Sequence, residues 1–139
     1  MVYTEIMKTF ESEKVKLNKP AATVYGDVSD FTKLGMIMPS QIGNWTATTD
    51  TCSFNIQGMA TLHMEMEERK PSEYVRMRSG SQTPVTFSIE VFLEASDANS
   101  CQARFVIKAD LNPMLSMMLE KPLAAFVTKM AERATAHYS

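Results

Sequence analysis

The stretch that decides the fold is residues 113–137, PMLSMMLEKPLAAFVTKMAERATAH, the longest run of the chain with helical spacing. In its second part, apolar side chains recur three and four positions apart, at Leu123, Phe126, Val127, Met130, Ala131 and Ala134. This spacing is typical of a helix that buries one face. Such a face needs a large apolar surface opposite it, and the strand-like segments that precede it can provide one.

A proline divides this helical stretch. Leu115, Met118 and Leu119 form an earlier apolar stripe, turned from the later one by roughly a quarter turn at about 100° per residue. Pro122 stands between the two stripes, and proline removes a backbone donor and crowds the preceding turn. We therefore expect either two helical segments, 113–120 and 122–137, or one helix kinked at Pro122.

The composition predicts one ordinary globular domain that spans residues 1–139. The chain has 139 residues, of which 45% are hydrophobic and 22% charged, with a formal net charge of −2. The lack of a basic excess argues against a general nucleic-acid binder. No apolar run approaches the roughly 20 residues of a membrane helix, and the opening stretch lacks the apolar core of a signal peptide. We expect a cytoplasmic protein with no stable membrane insertion.

Cysteines and histidines offer little for redox or metal chemistry. Cys52 and Cys101 each fall within a predicted strand, no C-x-x-C is present, and we expect two buried free thiols. His63 alternates with Glu65 and Glu67, which predicts a solvated outer face rather than a metal site. We expect no metal or cofactor. The 12 methionines suit an adaptable pocket, and equally a loosely specified core.

One strand, two short helices and six further strands are predicted before the final helix. The first strand covers about 6–17, and its imperfect alternation indicates an edge strand or a bulge. Two short helices follow, with Asn18 and Asp30 as predicted N-caps and Pro20 in the first turn. Six further strand-like segments come next: 45–49, 52–56, 61–67, 75–78, 85–94 and 101–111.

Residues 61–67 alternate strictly and define the two faces of the sheet. Their apolar members point to one face: Leu62, Met64 and Met66. In the hairpin that follows, we expect two carboxylates to face two arginines and so mark the register. These pairs are Glu67 with Arg76 and Glu65 with Arg78.

The predicted architecture is α+β, with a curved antiparallel seven-stranded sheet, two short helices between strands 1 and 2, and a long C-terminal helix. The terminal helix is the main element available to cover the apolar face of the sheet. We expect a cavity between them. Inward parity and the helix stripes give the candidate ligand-binding residues, all apolar: Phe54, Ile56, Leu62, Met64, Met66, Met77, Phe87, Ile89, Phe105, Ile107, Met118, Leu119, Leu123 and Phe126.

The order of elements resembles the START-like, birch-pollen-allergen-like superfamily, also called SRPBCC, and within it the bacterial polyketide cyclase/dehydrase and lipid-transport group. Residues 15–25, VKLNKPAATVY, and 28–31, VSDF, carry the resemblance, together with the turns at Gly58 and Pro71 and the closing helix. It implies a helix-grip fold with a hydrophobic cavity under the C-terminal helix. It implies no single activity, because members bind lipids, hormones or polyketides, some catalyse, and some act through protein contacts.

Three functional hypotheses follow. The first is a non-catalytic carrier or sensor of a small hydrophobic molecule, such as a lipid or a polyketide-like compound. The second is a cyclase- or dehydratase-like enzyme, which needs a buried ionisable group such as Glu13 facing the cavity. The third is a protein-interaction module whose own methionines and phenylalanines fill the interior. A homodimer is compatible with all three.

Overall fold

An antiparallel sheet lies against the long C-terminal helix, in the helix-grip arrangement that the sequence predicts. The structure is a computed structural model that describes residues 7–39, 42–56, 61–80 and 85–139, with only the backbone of Ile56. The predicted turn at Gly58 and the start of the first strand at Ile6 lie outside the described residues. The elements in chain order are β1 (Met7–Glu11), β2 (Val15–Leu17), α1 (Ala21–Val28), α2 (Phe31–Leu34), a 3-10 turn (Gly35–Ile37), β3 (Ile42–Ala47), β4 (Thr51–Ile56), β5 (Thr61–Lys70), β6 (Tyr74–Ser79), β7 (Phe87–Asp97), β8 (Ser100–Asp110) and α3 (Pro113–His137).

The sheet order is β1-β8-β7-β6-β5-β4-β3, and β2 also pairs with β8, so β1 and β2 share one of seven positions. The predicted first strand is therefore broken, and the break lies at Ser12. The Ser12 backbone N donates to the Phe105 carbonyl at 2.8 Å, and its hydroxyl accepts from the Phe105 N–H at 2.9 Å. These bonds hold the break against β8, while Glu13 and Lys14 are exposed.

One of the two predicted N-caps is confirmed, and a further cap starts the long helix. Asp30 caps α2, accepting a hydrogen bond from the Thr32 N–H at 2.9 Å, and Asn112 caps α3 through the Leu115 N–H at 2.9 Å. The prediction for Asn18 is wrong. Pro20 occupies the N-cap position of α1, and the Asn18 N–H donates instead to the Tyr138 carbonyl at 2.9 Å.

α3 is one continuous helix of 25 residues with Pro122 inside it, so the two-segment alternative is wrong. Pro122 is exposed at the surface of the helix, which runs unbroken on both sides of it. No helix among the described residues is long and apolar enough to cross a bilayer.

The outer face of the sheet carries the charged side chains. Glu65 and Arg78 are cross-strand partners, as predicted. Arg76 pairs with Glu68 rather than Glu67, because the register shifts between Met66 and Glu68. The Arg76 guanidinium still contacts Glu67, with Nε 2.5 Å from Oε1. Cys52 and Cys101 are buried free thiols, as the sequence predicts.

Candidate functional site

Half of the fourteen predicted lining residues fill the interior between the sheet and α3. Seven of them expose only 0% to 5% of their surface: Phe54, Met64, Met77, Ile89, Phe105, Ile107 and Phe126. A side chain with almost no accessible surface borders almost no space that a water molecule could occupy. These residues therefore form the packed core, and they leave little room for a ligand among them.

Only the half-buried members of the predicted set keep surface that a ligand could contact. Leu62, Phe87, Leu119 and Leu123 contact the core but keep part of their surface accessible. Met66 is also half-buried, but its backbone N–H donates to the Asp50 carbonyl at 2.9 Å, which places it at the far end of the sheet. The Ile56 side chain lies outside the described residues.

Met118 differs from the prediction, because 60% of its surface is exposed. Leu115, Leu119 and Leu123 stand four residues apart and take the inner face of the helix at this level. At about 100° per residue, Met118 is turned away from that line. The earlier stripe therefore consists of the leucines alone.

The chain topology brings the half-buried residues to one end of the sheet. β5 and β7 begin there, while β8 ends there and leads into α3. The Asp110 N–H donates to the Thr86 carbonyl at 2.9 Å, which holds the start of α3 beside the start of β7. We call this end the open end, and define it by its half-buried apolar residues: Leu62, Val85, Phe87, Leu115, Leu119 and Leu123.

Burial along α3 is uneven. Every buried residue of the helix lies in its second part: Phe126, Val127, Met130, Ala131 and Ala134. From Pro113 to Ala125 none is buried. Met114, Met117 and Met118 expose 70%, 88% and 60% of their surface in that first part. One part of the helix closes the core, and the other covers it incompletely.

The opposite end of the sheet is closed by hydrogen bonds. Arg69 donates from Nε to the Ser29 carbonyl at 3.0 Å, and from Nη2 to the Thr49 carbonyl at 3.2 Å and Asp50 Oδ1 at 2.7 Å. This side chain joins the end of α1 to the turn between β3 and β4. We call this end the closed end.

Two further hydrogen bonds connect the short helices α2 and α1 to the rest of the fold. The Trp45 indole Nε1 donates to the Phe31 carbonyl at 3.0 Å, and its ring stacks on Phe54 at 5.5 Å between centroids. The Tyr138 hydroxyl donates to Asp27 Oδ2 at 2.6 Å. Burial raises the pKa of Tyr138, and the hydrogen bond to Asp27 adds to that shift.

Among the described residues, the most buried carboxylate lies on the outer face of the sheet, opposite the core. Glu90 accepts a hydrogen bond from the Tyr74 hydroxyl, and Lys108 Nζ lies 3.1 Å from its Oε1. Burial would raise the pKa of Glu90, but the Tyr74 and Lys108 contacts outweigh it and hold that pKa below its ordinary value. Burial and the bond to Glu90 raise the pKa of Tyr74 to about 12. Sequence parity places Glu90 outward and gives no sign of its burial.

The candidate acid named from the sequence, Glu13, is exposed in the break between β1 and β2. The six residues that define the open end carry only hydrocarbon side chains. Within the described ranges, no group of three or more His, Cys, Asp or Glu could hold a metal ion. These hydrocarbon side chains are suited to contact the apolar surface of a ligand.

The outer face also has a shallow groove that the sequence did not indicate. It has a volume of about 370 Å³, beside the paired strands β3, β4 and β5. Its polar lining includes Thr46, Thr51, Ser53, His63 and Glu65. The pairing of Ser53 with His63 and of Thr51 with Glu65 places these side chains on the face opposite the core.

No family model and no curated protein sequence matches this chain. Solved structures match in fold. A truncated norcoclaurine synthase from Thalictrum flavum is similar over 99% of this chain and 96% of its own, at 10% identity and a TM-score of 0.71. A START superfamily protein from Mycobacterium smegmatis is similar over 95% of this chain and 96% of its own, at 12% identity and a TM-score of 0.68. The protein XoxI from Bacillus cereus is similar over 95% of this chain and 94% of its own, at 10% identity and a TM-score of 0.73. The chain has the START-like, birch-pollen-allergen-like fold.

Proposed function

We propose that this chain binds a small hydrophobic molecule, such as a lipid or a polyketide-like compound, at the open end, and carries or senses it without catalysis. The observation that carries the proposal is the uneven burial of α3. Its second part is fully packed, whereas Leu115, Leu119 and Leu123 of its first part keep accessible surface over the core. A helix that served only to close the core would bury both parts.

Burial of the ligand's apolar surface would drive binding. Leu62 and Phe87 on the sheet side and Leu119 on the helix side offer half-buried apolar surface at the same end. Covering such surface is worth about 25 cal/mol per Å² before the entropic cost of association. Since the deeper core is filled by its own side chains, a ligand would lie at the end of the interior, under the first part of α3.

The positions of the described ionisable groups support the non-catalytic form of the proposal. Catalysis by a general acid or base needs an ionisable group within reach of the reacting atoms. Asp27, Tyr138 and Arg69 lie towards the closed end, and Glu13 is exposed. The fold by itself does not determine whether the chain is an enzyme, and the similar structures include both a synthase and a START superfamily protein.

Native mass spectrometry of the purified protein, followed by denaturing extraction, is the first test. We expect a hydrophobic small molecule bound near unit stoichiometry. Two variants of α3 then locate it. Leu119→Glu places a carboxylate on the inner face of the first part, whereas Ala125→Glu places the same charge at an exposed position of the same helix.

We expect Leu119→Glu to lower the affinity for the extracted molecule by about tenfold or more, because it would bury a charge against apolar ligand surface. Ala125→Glu should leave the affinity unchanged. Equal effects of the two variants would show that binding does not involve the inner face of α3. A protein that carries no ligand and does not bind the fluorophore 1-anilinonaphthalene-8-sulfonate would contradict the proposal.

A second candidate function is protein interaction through the exposed methionines of α3. Three apolar side chains with 60% to 88% exposure on adjacent helix positions favour it. A homodimer is the form that can be tested directly. Sedimentation velocity over a range of concentrations would detect self-association, and Met117→Glu should abolish it. A monomer at all concentrations would remove the homodimer.

A further inference from the structure

We propose that Met114, Met117 and Met118 form a site of reversible oxidation by peroxide-class oxidants, and that their oxidation weakens ligand binding at the open end. We call these three residues the methionine rim. The second half of this inference rests on the proposed function, because it concerns the regulation of that site. The first half, the site of oxidation, does not depend on it.

Exposure separates the methionine rim from the other described methionines. Its members expose 70%, 88% and 60% of their surface, whereas Met64, Met77 and Met130 expose 1%, 0% and 0%. Met7 and Met36 are intermediate at 47% and 44% and stand alone on other elements. Oxidation of a buried thioether requires a local opening of the fold, so the rim should react first. Met1 and Met59 lie outside the described residues.

The rim is also a cluster. Met114 stands three residues before Met117 and four before Met118, and residues at these spacings are neighbours on a helix surface. Oxidation of the three would therefore change one continuous patch of α3 from apolar to polar. That patch borders the leucines on the inner face of the first part of the helix.

The cysteines do not compete for the oxidant. Both are buried, and thiol oxidation proceeds through the thiolate. Burial raises the pKa of the Cys52 thiol to about 12, and it also raises the pKa of Cys101. The thiolate fraction of both is thus very small near neutral pH. In the described part of the chain, the accessible sulfur atoms belong to methionine.

The reaction is a two-electron oxygen transfer. The thioether sulfur attacks one oxygen of hydrogen peroxide, an S–O bond forms as the O–O bond breaks, and the sulfur is oxidised to a sulfoxide. The other oxygen leaves as hydroxide, which takes up the proton of the transferred OH group and becomes water. A thiol-dependent methionine sulfoxide reductase reverses the step, reducing the sulfoxide to the thioether and releasing its oxygen as water.

The consequence for binding follows from the polarity of the product. A sulfoxide replaces an apolar sulfur with a strongly polar S=O group. Met114 precedes Leu115 and Met118 precedes Leu119 in α3, so sulfoxides at the two methionines would place polar groups at the border of the apolar surface that a ligand would contact. Oxidation would hydrate this surface and lower the affinity for ligand.

The first arm of the test maps the site. The protein is treated with limiting hydrogen peroxide, and sulfoxide at each methionine is followed by peptide mass spectrometry. We expect the methionine rim to be oxidised about tenfold faster or more than Met64, Met77 and Met130. Equal rates at the rim and at the buried methionines would overturn the inference.

The second arm measures binding of 1-anilinonaphthalene-8-sulfonate before and after treatment, in the wild type and in a variant that combines Met114→Leu, Met117→Leu and Met118→Leu. Each protein is compared with its own untreated form. We expect treatment to weaken dye binding about threefold or more in the wild type only, and a sulfoxide reductase to restore it.

The outcomes distinguish the two proposals. Rim oxidation with unchanged dye affinity would overturn the regulatory half while the proposed function stands. Failure of the untreated wild type to bind the dye or any hydrophobic molecule would remove both the proposed function and its regulation. The mapping would then decide the oxidation site alone. An equal loss in the leucine variant would place the sensitive sulfur elsewhere.

Discussion

A single glycine allows the helices to approach the sheet. A Cβ atom at Gly35 would lie 2.9 Å from Nε1 of Trp45, which donates to the Phe31 carbonyl. The Trp45 ring is held on its other side by stacking on Phe54. The ring therefore has little freedom to move, and the lack of a side chain at Gly35 keeps the hydrogen bond in place.

We expect Gly35→Ala to lower the free energy of unfolding by about 1–3 kcal/mol, because it overpacks this contact. The matched control is Gly26→Ala in α1, where a Cβ atom would meet nothing within 4 Å. That change should stabilise the protein by about 0.5–1 kcal/mol, since alanine favours the helix. Urea unfolding followed by the fluorescence of Trp45 measures both. Equal effects of the two substitutions would contradict this role of Gly35.

The contact between Tyr74 and Glu90 predicts a pH dependence of stability. The Glu90 pKa lies below its ordinary value of 4.5 in the folded protein, so its contribution is present above pH 4.5 and lost as the pH falls through the folded pKa. The Tyr74 pKa is raised from 10 to about 12, so its contribution is present below pH 10 and lost as the pH rises through about 12.

Tyr74→Phe should therefore cost about 1–3 kcal/mol at neutral pH, because a buried carboxylate loses a donor. It should also flatten the loss of stability at both the acid and the alkaline limits. Free energies of unfolding across this pH range, compared with those of the wild type, provide the measurement. An unchanged alkaline limb would show that Tyr74 does not titrate in this way. Tyr25→Phe, a half-buried tyrosine on α1, is the control.

At the scale of elements, the two parts of α3 have different tasks. Met130 is fully buried in the second part, whereas Leu119 is half-buried in the first. We expect Met130→Ala to lower the free energy of unfolding by about 2–5 kcal/mol, and Leu119→Ala by only about 1 kcal/mol. The order should reverse for binding of 1-anilinonaphthalene-8-sulfonate. If Leu119→Ala were the more destabilising change, the first part of α3 would be a core element.

The sequence predicts these elements well because periodicity and caps are local signals. The Asp30 cap and the alternation of 61–67 each depend on a few neighbouring residues. The break at Ser12 depends on its bonds to Phe105, which is distant in the chain. The continuity of α3 through Pro122 is likewise not evident from the local sequence, because a proline by itself predicts a kink or a break.

At the scale of the molecule, the sequence predicts the helix-grip fold but not how its interior is used. Strand parity identifies which residues face inward, and it cannot separate a side chain that fills the core from one that lines a site. Met77 and Leu62 have the same parity, yet only Leu62 keeps accessible surface. That difference arises from how distant elements pack around each residue, which no short segment encodes.

The contrast between a closed and an open end predicts that stability and binding can be changed separately. Arg69→Met removes the bonds to Ser29, Thr49 and Asp50, so the Ser29 carbonyl and the Asp50 carboxylate lose this donor. The Thr49 carbonyl still accepts from the Phe31 N–H at 3.3 Å. We expect a loss of about 1–3 kcal/mol in the free energy of unfolding, with dye binding unchanged.

Leu119→Glu should instead weaken binding with a smaller loss of stability, because its position is only half-buried. Urea unfolding and dye titration of both variants test this separation. A large loss of dye affinity in folded Arg69→Met would show that the two ends are coupled, because closure of one end would then be required to hold the other in its binding form.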